Sequence, residues 1–289
     1  MDVFESERRR LRAVGYRMLG SMSDADDVVQ ETWLRWDRIG EAGRAAVDNP
    51  AAWLTTAATR IALDRLKSAQ RQREEYVGPW LPEPVLTDDD DPADSAALVE
   101  SLTLGFLTVL ERLGPVERAV FLLAEVFDEP FAAIAPIVGR SEEACRQIAS
   151  RARRRVREER RQFDPVRATD EMVHAFVAAC TIGDLDEFRK VLSDGVVMVS
   201  DGGAAVHAAR RAVRGVFRVG RLLANVVKRL PSDATLEFHT VNNEPGLLMR
   251  RNGAAWCVVV LEAHDGRIDN IRLVINPDKL RHLDVVNAL

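Results

Sequence analysis

PFAAIAPIVGRSEEACRQIASRARRRV, residues 130–156, decides how the rest of the chain is read. Pro130 suits a helix start, Gly139 marks a tight turn, and Ser141 is placed to cap a second helix reaching about Arg161. Helix, short turn, helix is the helix-turn-helix arrangement. Cys145, Ile148, Ala149, Ala152 and Val156 recur at helical spacing and form an apolar face, opposite Glu143, Arg146, Gln147, Ser150, Arg151 and Arg154. Arg and Gln on an outward face are the side chains that read base edges in a major groove. Arg153, Arg155, Arg157, Arg160 and Arg161 extend a basic run suited to phosphates. A merely solvated basic helix shares this composition, but it needs no turn and helix in front of it.

Upstream, the first 75 residues read as helices. Val3, Phe4, Leu11, Val14 and Met18 share one face of a helix over about 2–19, which Gly20 ends. Ser23, with Asp26 three residues on, resembles a capping box for a second helix over about 24–39, burying Ala25, Val28, Val29, Thr32 and Trp36. Its other face carries Asp27, Gln30, Glu31 and Leu34, an acidic stripe bearing one apolar residue. Such a stripe is either a solvated surface or a docking site for a basic partner. Asn49-Pro50 starts a third helix that runs to about residue 74. Trp53, Thr56, Arg60, Lys67 and Arg71 fall near one side of it, flanked by Arg65 and Arg73. A ring with cations around it suits single-stranded DNA, because bases stack on rings and phosphates follow charge. The bland alternative is an amphipathic helix with a core tryptophan.

Downstream of Tyr76 the pattern breaks. VGPWLPEPVLTDDDDPAD, rich in proline and aspartate, is a linker with no core of its own. Helices resume near Ser95, and Pro115 marks another helix start. Phe163-Asp164-Pro165 is a second boundary, after which helices near 169–192 and 212–229 are joined by strands of period two. Leu236, Phe238 and Thr240 form one alternating set, Trp256, Val258 and Val260 another, and Ile271, Leu273 and Ile275 a third. Helices followed by an antiparallel meander predict an α+β domain.

A length of 289 residues predicts two domains. No apolar run is long enough to cross a bilayer, and MDVFESERRRLR is too charged for a signal peptide, which predicts a cytoplasmic protein without a membrane partner. Cys145, Cys180 and Cys257 are odd in number and widely spaced, which argues against disulfides and a zinc site. Nothing in the sequence calls for a cofactor or a metal. The net charge of −5 does not exclude nucleic acid, since binding needs only a local basic face.

At this point the sequence resembles the sigma-70 family. DADDVVQETWLRW (24–36) resembles its core-polymerase-binding segment, and NPAAWLTTAATRIALDRLKSAQRQRE (49–74) the segment that melts and reads the minus-ten element. LGPVERAVFLLAEVFDEPFAAIAPIVGRSEEACRQIASRARRRV (113–156) resembles the region that reads the minus-thirty-five element. Their order and close succession point to the extracytoplasmic-function group. The remainder resembles a SnoaL-like α+β cone, an extension marked in some sigma factors by three signatures. WLPEP is present as Trp80, Leu81, Pro82, Glu83 and Pro84, and NPDKL as Asn276, Pro277, Asp278, Lys279 and Leu280. DGGGK is present only as Asp201, Gly202, Gly203, Ala204 and Ala205, without the lysine. Arg60 stands where many relatives outside this group have asparagine.

The resemblance implies sigma region 2 over 1–75, a linker over 76–96, region 4 over 97–162 and a SnoaL-like regulatory domain over 168–289. It implies two all-α domains, the second with a helix-turn-helix, followed by an α+β cone. The partners implied are core RNA polymerase, on Asp27, Gln30, Glu31 and Leu34, and promoter DNA. The DNA contacts fall on Trp53, Arg60, Lys67 and Arg71 in region 2 and on Arg146, Gln147, Ser150, Arg151 and Arg154 in region 4. The chain is then a non-catalytic specificity subunit, and the C-terminal domain packs on WLPEP and regulates in cis. Trp80, a ring between rigid prolines, reads as the anchor, against a merely local packing role.

Two alternatives concern that domain: a small-molecule sensor, or an isomerase- or hydrolase-like enzyme using His174, His207, His239, His264, Asp201 or Asp269. The chain has only Tyr16 and Tyr76, so the domain itself supplies no tyrosine for such chemistry. A conventional repressor built on one helix-turn-helix would leave the acidic stripe and the tryptophan-bearing helix without purpose.

Overall fold

The computed structural model describes residues 3–87, 102–161 and 166–284, whose contacts divide into two compact units. The acidic stretch from residue 88, the resumption of helix near Ser95 and the boundary at Phe163-Asp164-Pro165 lie outside the described residues.

The first unit is helical: α1 (Val3–Leu19), α2 (Met22–Arg38), α3 (Gly40–Ala45) and α4 (Pro50–Glu74), then the later part of α5 (Leu104–Leu110), α6 (Pro115–Glu125), α7 (Phe131–Val138) and α8 (Glu142–Arg161). Phe4, Leu11, Val14 and Met18 are buried as their spacing predicts, while Val3, on the opening turn, is 42% exposed. The α2 cap is Ser21 rather than Ser23. Its Oγ accepts from the Asp24 N–H at 3.2 Å, so the helix starts earlier than expected and Ser23 bonds only sideways to Ser21. Ala25, Val28, Val29, Thr32 and Trp36 are all buried. Asn49 caps α4, its Oδ1 accepting from Ala52 N–H at 3.0 Å. α3 buries no residue and so has no apolar period from which it could be anticipated.

A buried ion cluster ties these helices together. Arg118 of α6, 1% exposed, donates through Nη1 to the Met18 carbonyl at 2.8 Å and to Glu111 at 2.7 Å. Arg73 of α4 pairs with the other Glu111 oxygen and donates to the Leu19 carbonyl. One carboxylate thus bridges two guanidinium groups, and the positive charge left over lies against carbonyls at the C-terminal end of α1, where orphan acceptors attract cations.

The helix-turn-helix forms as its residues predict. Gly139 closes α7 in the left-handed region (φ 66°), and Ser141 Oγ accepts from Ala144 N–H at 3.2 Å. Cys145, Ala149, Ala152 and Val156 of α8 are buried.

The second unit gathers residues 76–87, 102–106 and 166–284. Its elements are β1 (Val166–Arg167), α9 (Asp170–Ile182), α10 (Leu185–Val191), β2 (Leu192–Asp201), β3 (Val213–Arg214), α11 (Val216–Val227), β4 (Ala234–Val241), β5 (Glu244–Arg251), β6 (Ala254–His264), β7 (Arg267–Val274) and the short α12 (Pro277–Leu280). The sheet order is β3-β2-β7-β6-β5-β4, with β1 beside β6. The meander β4 to β7 is antiparallel as expected, whereas β2 lies parallel to β7. This mixed sheet with α9, α10 and α11 on one face is consistent with the SnoaL-like fold expected. Four strands are not legible: the two-residue β1 and β3, the latter inside the helix expected over 212–229, β2, where a single helix is expected to run to 192, and β5, whose burial on both faces removes the alternation that marks a strand. The expected helix is two, broken at Gly183.

Each face of the sheet has its own apolar layer. Leu247, Cys257, Val259, Leu261 and Ile271 pack with Phe176, Phe188, Val219 and Leu223 of the helices. On the opposite face Leu248, Val258, Val260 and Val274 are covered by Leu81, Leu86 and Leu104, together with Leu280 and Leu283. The proline-rich linker, which has no core of its own, therefore completes that of the sheet. All three cysteines are buried, and burial pushes the Cys180 and Cys257 thiols up to about 12.

A Cβ added at Gly139 would meet nothing within 4 Å, so Gly139→Ala carries only a backbone penalty. Chemical unfolding should register a loss of about 1–2 kcal/mol, the cost of placing an L-residue in the left-handed region.

Candidate functional site

The acidic stripe on α2 is open but not bare. Asp27 and Gln30 are exposed, Glu31 is half-buried, and Leu34 is 39% exposed. Trp33, not singled out from the sequence, is 40% exposed beside it. Its signal was present in the heptad-like spacing, since Val29, Thr32 and Trp36 take the buried positions and leave Trp33 outside. Arg65 of α4 reaches across to the stripe, with Nη1 2.8 Å from Asp27 and 3.7 Å from Asp24, and Nη2 3.7 Å from Glu31. The surface is thus two apolar side chains within partly neutralised carboxylates.

On α4, Trp53 is half-buried, its ring centroid 5.1 Å from that of Trp36 and tilted by 53°. Arg60 is exposed, and its Nη2 donates to the Pro136 carbonyl of α7 at 2.7 Å. Lys67 is exposed and pairs with Asp64 at 3.0 Å. The Arg71 side chain lies outside the described residues.

Arg146, Gln147, Ser150, Arg151 and Arg154 of α8 are all exposed on one side. Arg146 pairs with Glu142 at 2.8 Å and Arg154 with Glu158 at 4.0 Å. Such pairs one helical turn apart are worth a few tenths of a kcal/mol and are readily exchanged for a phosphate or a base edge. Arg153 and Arg155 behave differently. Arg153 makes two bonds to Glu125 (2.9 and 2.5 Å) and Arg155 one to Glu117 (3.0 Å), so this part of the basic run also fastens α8 to α6.

The second unit brings the three short signatures to one point. Asp201, at the end of β2, is fully buried. Its Oδ1 accepts from the Tyr76 hydroxyl at 2.6 Å and the Gly203 N–H at 3.1 Å, and its Oδ2 from the Leu81 N–H at 2.8 Å and Lys279 Nζ at 2.7 Å. All four acceptor sites of the carboxylate are taken. Lys279 also donates to the Leu81 carbonyl, and its ammonium lies 4.1 Å from the Trp80 ring centroid and 5.1 Å from that of Tyr76, a cation–π arrangement. Asn276 caps α12 through Oδ1 and donates from Nδ2 to the Tyr76 oxygen at 2.8 Å. Pro84 offers its carbonyl to His282 Nε2 at 2.7 Å.

Leu81, Pro82, Glu83 and Pro84 are buried and Trp80 is half-buried. Of NPDKL, Asn276, Lys279 and Leu280 face inward while Pro277 and Asp278 are exposed. Gly202 and Gly203 are buried. Gly203 sits at φ 58°, and a Cβ there would fall 2.7 Å from Asn276 Nδ2. Ala205, in the place of the signature lysine, is exposed.

Tyr76 is the residue the sequence did not assign to this unit, because it enters from the linker. Burial and the adjacent carboxylate push its hydroxyl above the ordinary tyrosine range, which keeps it a donor. The other residues weighed as acids or bases have separate partners. Asp269 accepts from Ser193 at 2.6 Å, His239 lies 3.1 Å from Glu237, His264 lies 3.4 Å from Asp265, and the His174 ring stacks on Phe238 at 4.3 Å. His207 is exposed on a cleft between residues 77–79 and 200–210. That cleft holds about 90 Å³, against roughly 300–1,000 Å³ for ordinary ligand sites.

Comparison with known proteins agrees with this geometry. Residues 3–72 match the Sigma-70 region 2 family and residues 104–156 the Sigma-70 region 4 family. The chain is 38% identical to the ECF RNA polymerase sigma factor SigJ of Mycobacterium tuberculosis, over 96% of this chain and 91% of that protein. It is 34% identical to the probable ECF RNA polymerase sigma factor SigI of the same organism, over 96% and 93%. The crystal structure of the M. tuberculosis extracytoplasmic function sigma factor SigJ superposes with a TM-score of 0.74 at 36% identity, covering 96% of each chain. No described helix is long and apolar enough to cross a membrane. Two sigma modules in order and full-length similarity to such proteins establish that the chain belongs to the extracytoplasmic-function family of RNA polymerase sigma factors.

Proposed function

We propose that this sigma factor docks on core RNA polymerase through Asp27, Gln30, Glu31 and Leu34, extended by Trp33, and is controlled in cis by its C-terminal unit through the linker. Carboxylates around an exposed apolar pair suit a basic helical partner, the charges steering approach and the apolar side chains supplying the desolvated centre. On the same reading α4 captures unstacked minus-ten bases with Trp53, Arg60, Lys67 and Arg71. α8 reads the minus-thirty-five element with Arg146, Gln147, Ser150, Arg151 and Arg154.

The observation that carries cis control is the Asp201 carboxylate, which holds the linker amide of Leu81 and the linker hydroxyl of Tyr76 while paired with Lys279. The linker is the only covalent connection from region 2 to region 4, so a domain that grips it acts on both. The saturated carboxylate favours an anchoring role over turnover, since a general base needs a free lone pair facing substrate.

Two experiments test this reading. Leu34→Glu places a charge in the apolar centre of the docking patch and should weaken association with purified core polymerase by about tenfold or more, in the range of an interface hot spot. Unchanged binding by surface plasmon resonance would remove the stripe from the interface. Asp201→Asn leaves Lys279 buried without its counter-charge, a change that costs about 3–5 kcal/mol in comparable buried pairs. The Leu81 amide should then exchange faster with deuterium, and run-off transcription should change in rate. Faster exchange with unaltered transcription would sink cis control.

A further inference from the structure

The turn between β4 and β5 holds the linker a second time, at a different place. Asn242 and Asn243 have φ of 52° and 60°, the geometry of a two-residue hairpin turn with both centres left-handed, which asparagine tolerates. Asn242 is fully buried. Its N–H donates to the Val85 carbonyl at 2.7 Å and its side-chain Oδ1 accepts from the Val85 N–H at 2.9 Å. The Nδ2 of the same amide donates to the Leu102 carbonyl at 2.9 Å. Two residues on, the buried Glu244 accepts from the Leu104 N–H at 3.2 Å. Thr87 is fastened too: its N–H donates to the Thr240 carbonyl at 2.8 Å, and its Oγ1 accepts from Asn243 N–H at 2.8 Å.

One side-chain amide therefore binds both ends of the connector, Val85 on the region 2 side and Leu102 on the region 4 side. The chain between them spans residues 86–101. Were it free to extend, each residue would add about 3.3–3.6 Å of reach, while one base pair adds about 3.4 Å along the duplex. Pinned at both ends by one group, the connector adds almost none.

We infer that Asn242 is a specificity-determining residue for promoter spacer length: by tying Val85 to Leu102 it limits how far region 2 and region 4 separate on DNA. This rests on the reading of the two regions as minus-ten and minus-thirty-five readers joined by a gripped linker. Asn242 acts through the linker and touches no base.

The test uses the full chain with purified core polymerase and a promoter on which it initiates, the spacer lengthened and shortened one base pair at a time. Asn242→Gly keeps the left-handed turn and deletes both side-chain bonds. Asn242→Asp keeps the acceptor for Val85 N–H and sets a carboxylate against the Leu102 carbonyl. Run-off from the off-optimum spacers should rise about tenfold relative to the optimum, the equivalent of releasing roughly one or two hydrogen bonds. Both variants should show it, and Asn242→Asp gives the answer if the glycine variant fails to fold. An unchanged spacer profile overturns the inference, and so does a uniform change at every spacer, which a general loss of stability would produce. Asp201→Asn in the same series separates the two claims. If it alters transcription while the Asn242 variants keep the wild-type profile, only the spacing role falls. If the Asn242 variants flatten the profile and Asp201→Asn does nothing, the spacing role stands and control through Asp201 falls.

Discussion

A carboxylate removed from water must have its charge met by donors, and the second unit is organised around that requirement at Asp201. Its four donors come from residues 76, 81, 203 and 279, so the linker, the end of β2 and the C-terminal helix must all arrive before the charge is satisfied. Leaving out Lys279 strands a buried ion, which costs far more than an ordinary hydrogen bond contributes, and leaving out any other donor costs the carboxylate a hydrogen bond. The path of the linker follows. Once the Leu81 amide is fixed, its side chain falls on the open face of the sheet beside Val258 and Val260, and that apolar layer closes over it.

The helical unit uses the same device. Glu111 sits between Arg73 and Arg118, and those arginines meet carbonyls that end α1. Removing one member of such a cluster is costly, because the charge left behind is buried and uncompensated. Here the contact joins α1 and α4 of region 2 to α6 of region 4 in the free chain.

The surfaces assigned to partners are built differently. Arg146 and Arg154 of α8 rest in pairs within one helix, and Arg60 rests on a carbonyl of α7. The carboxylates of α2 share Arg65. These exposed contacts are weak and screened by salt, so a nucleic acid or a basic protein would replace them at little cost. Buried pairs hold the frame, and weak exposed ones lie on the surfaces proposed for partners.

By itself the sequence determined the amphipathic helices, the helix-turn-helix and three of the strands, because each is written in a local period, although in β4 that period sets Leu236 and Phe238 outward, 39% and 46% exposed. It also carried the signatures WLPEP and NPDKL, but only as strings. Tertiary structure decided that they meet at Asp201, that Tyr76 joins them and that Asn242 spans the linker. The reason is physical: a buried polar group declares its need for a partner in its own chemistry, yet the partner stands far off in the chain, 78 residues for Asp201 and Lys279 and 157 for Asn242 and Val85, and leaves no periodic trace. The same holds for β5, whose alternation vanished because both its faces are covered, and for Ser21, chosen over Ser23 as the α2 cap by where the helix packs.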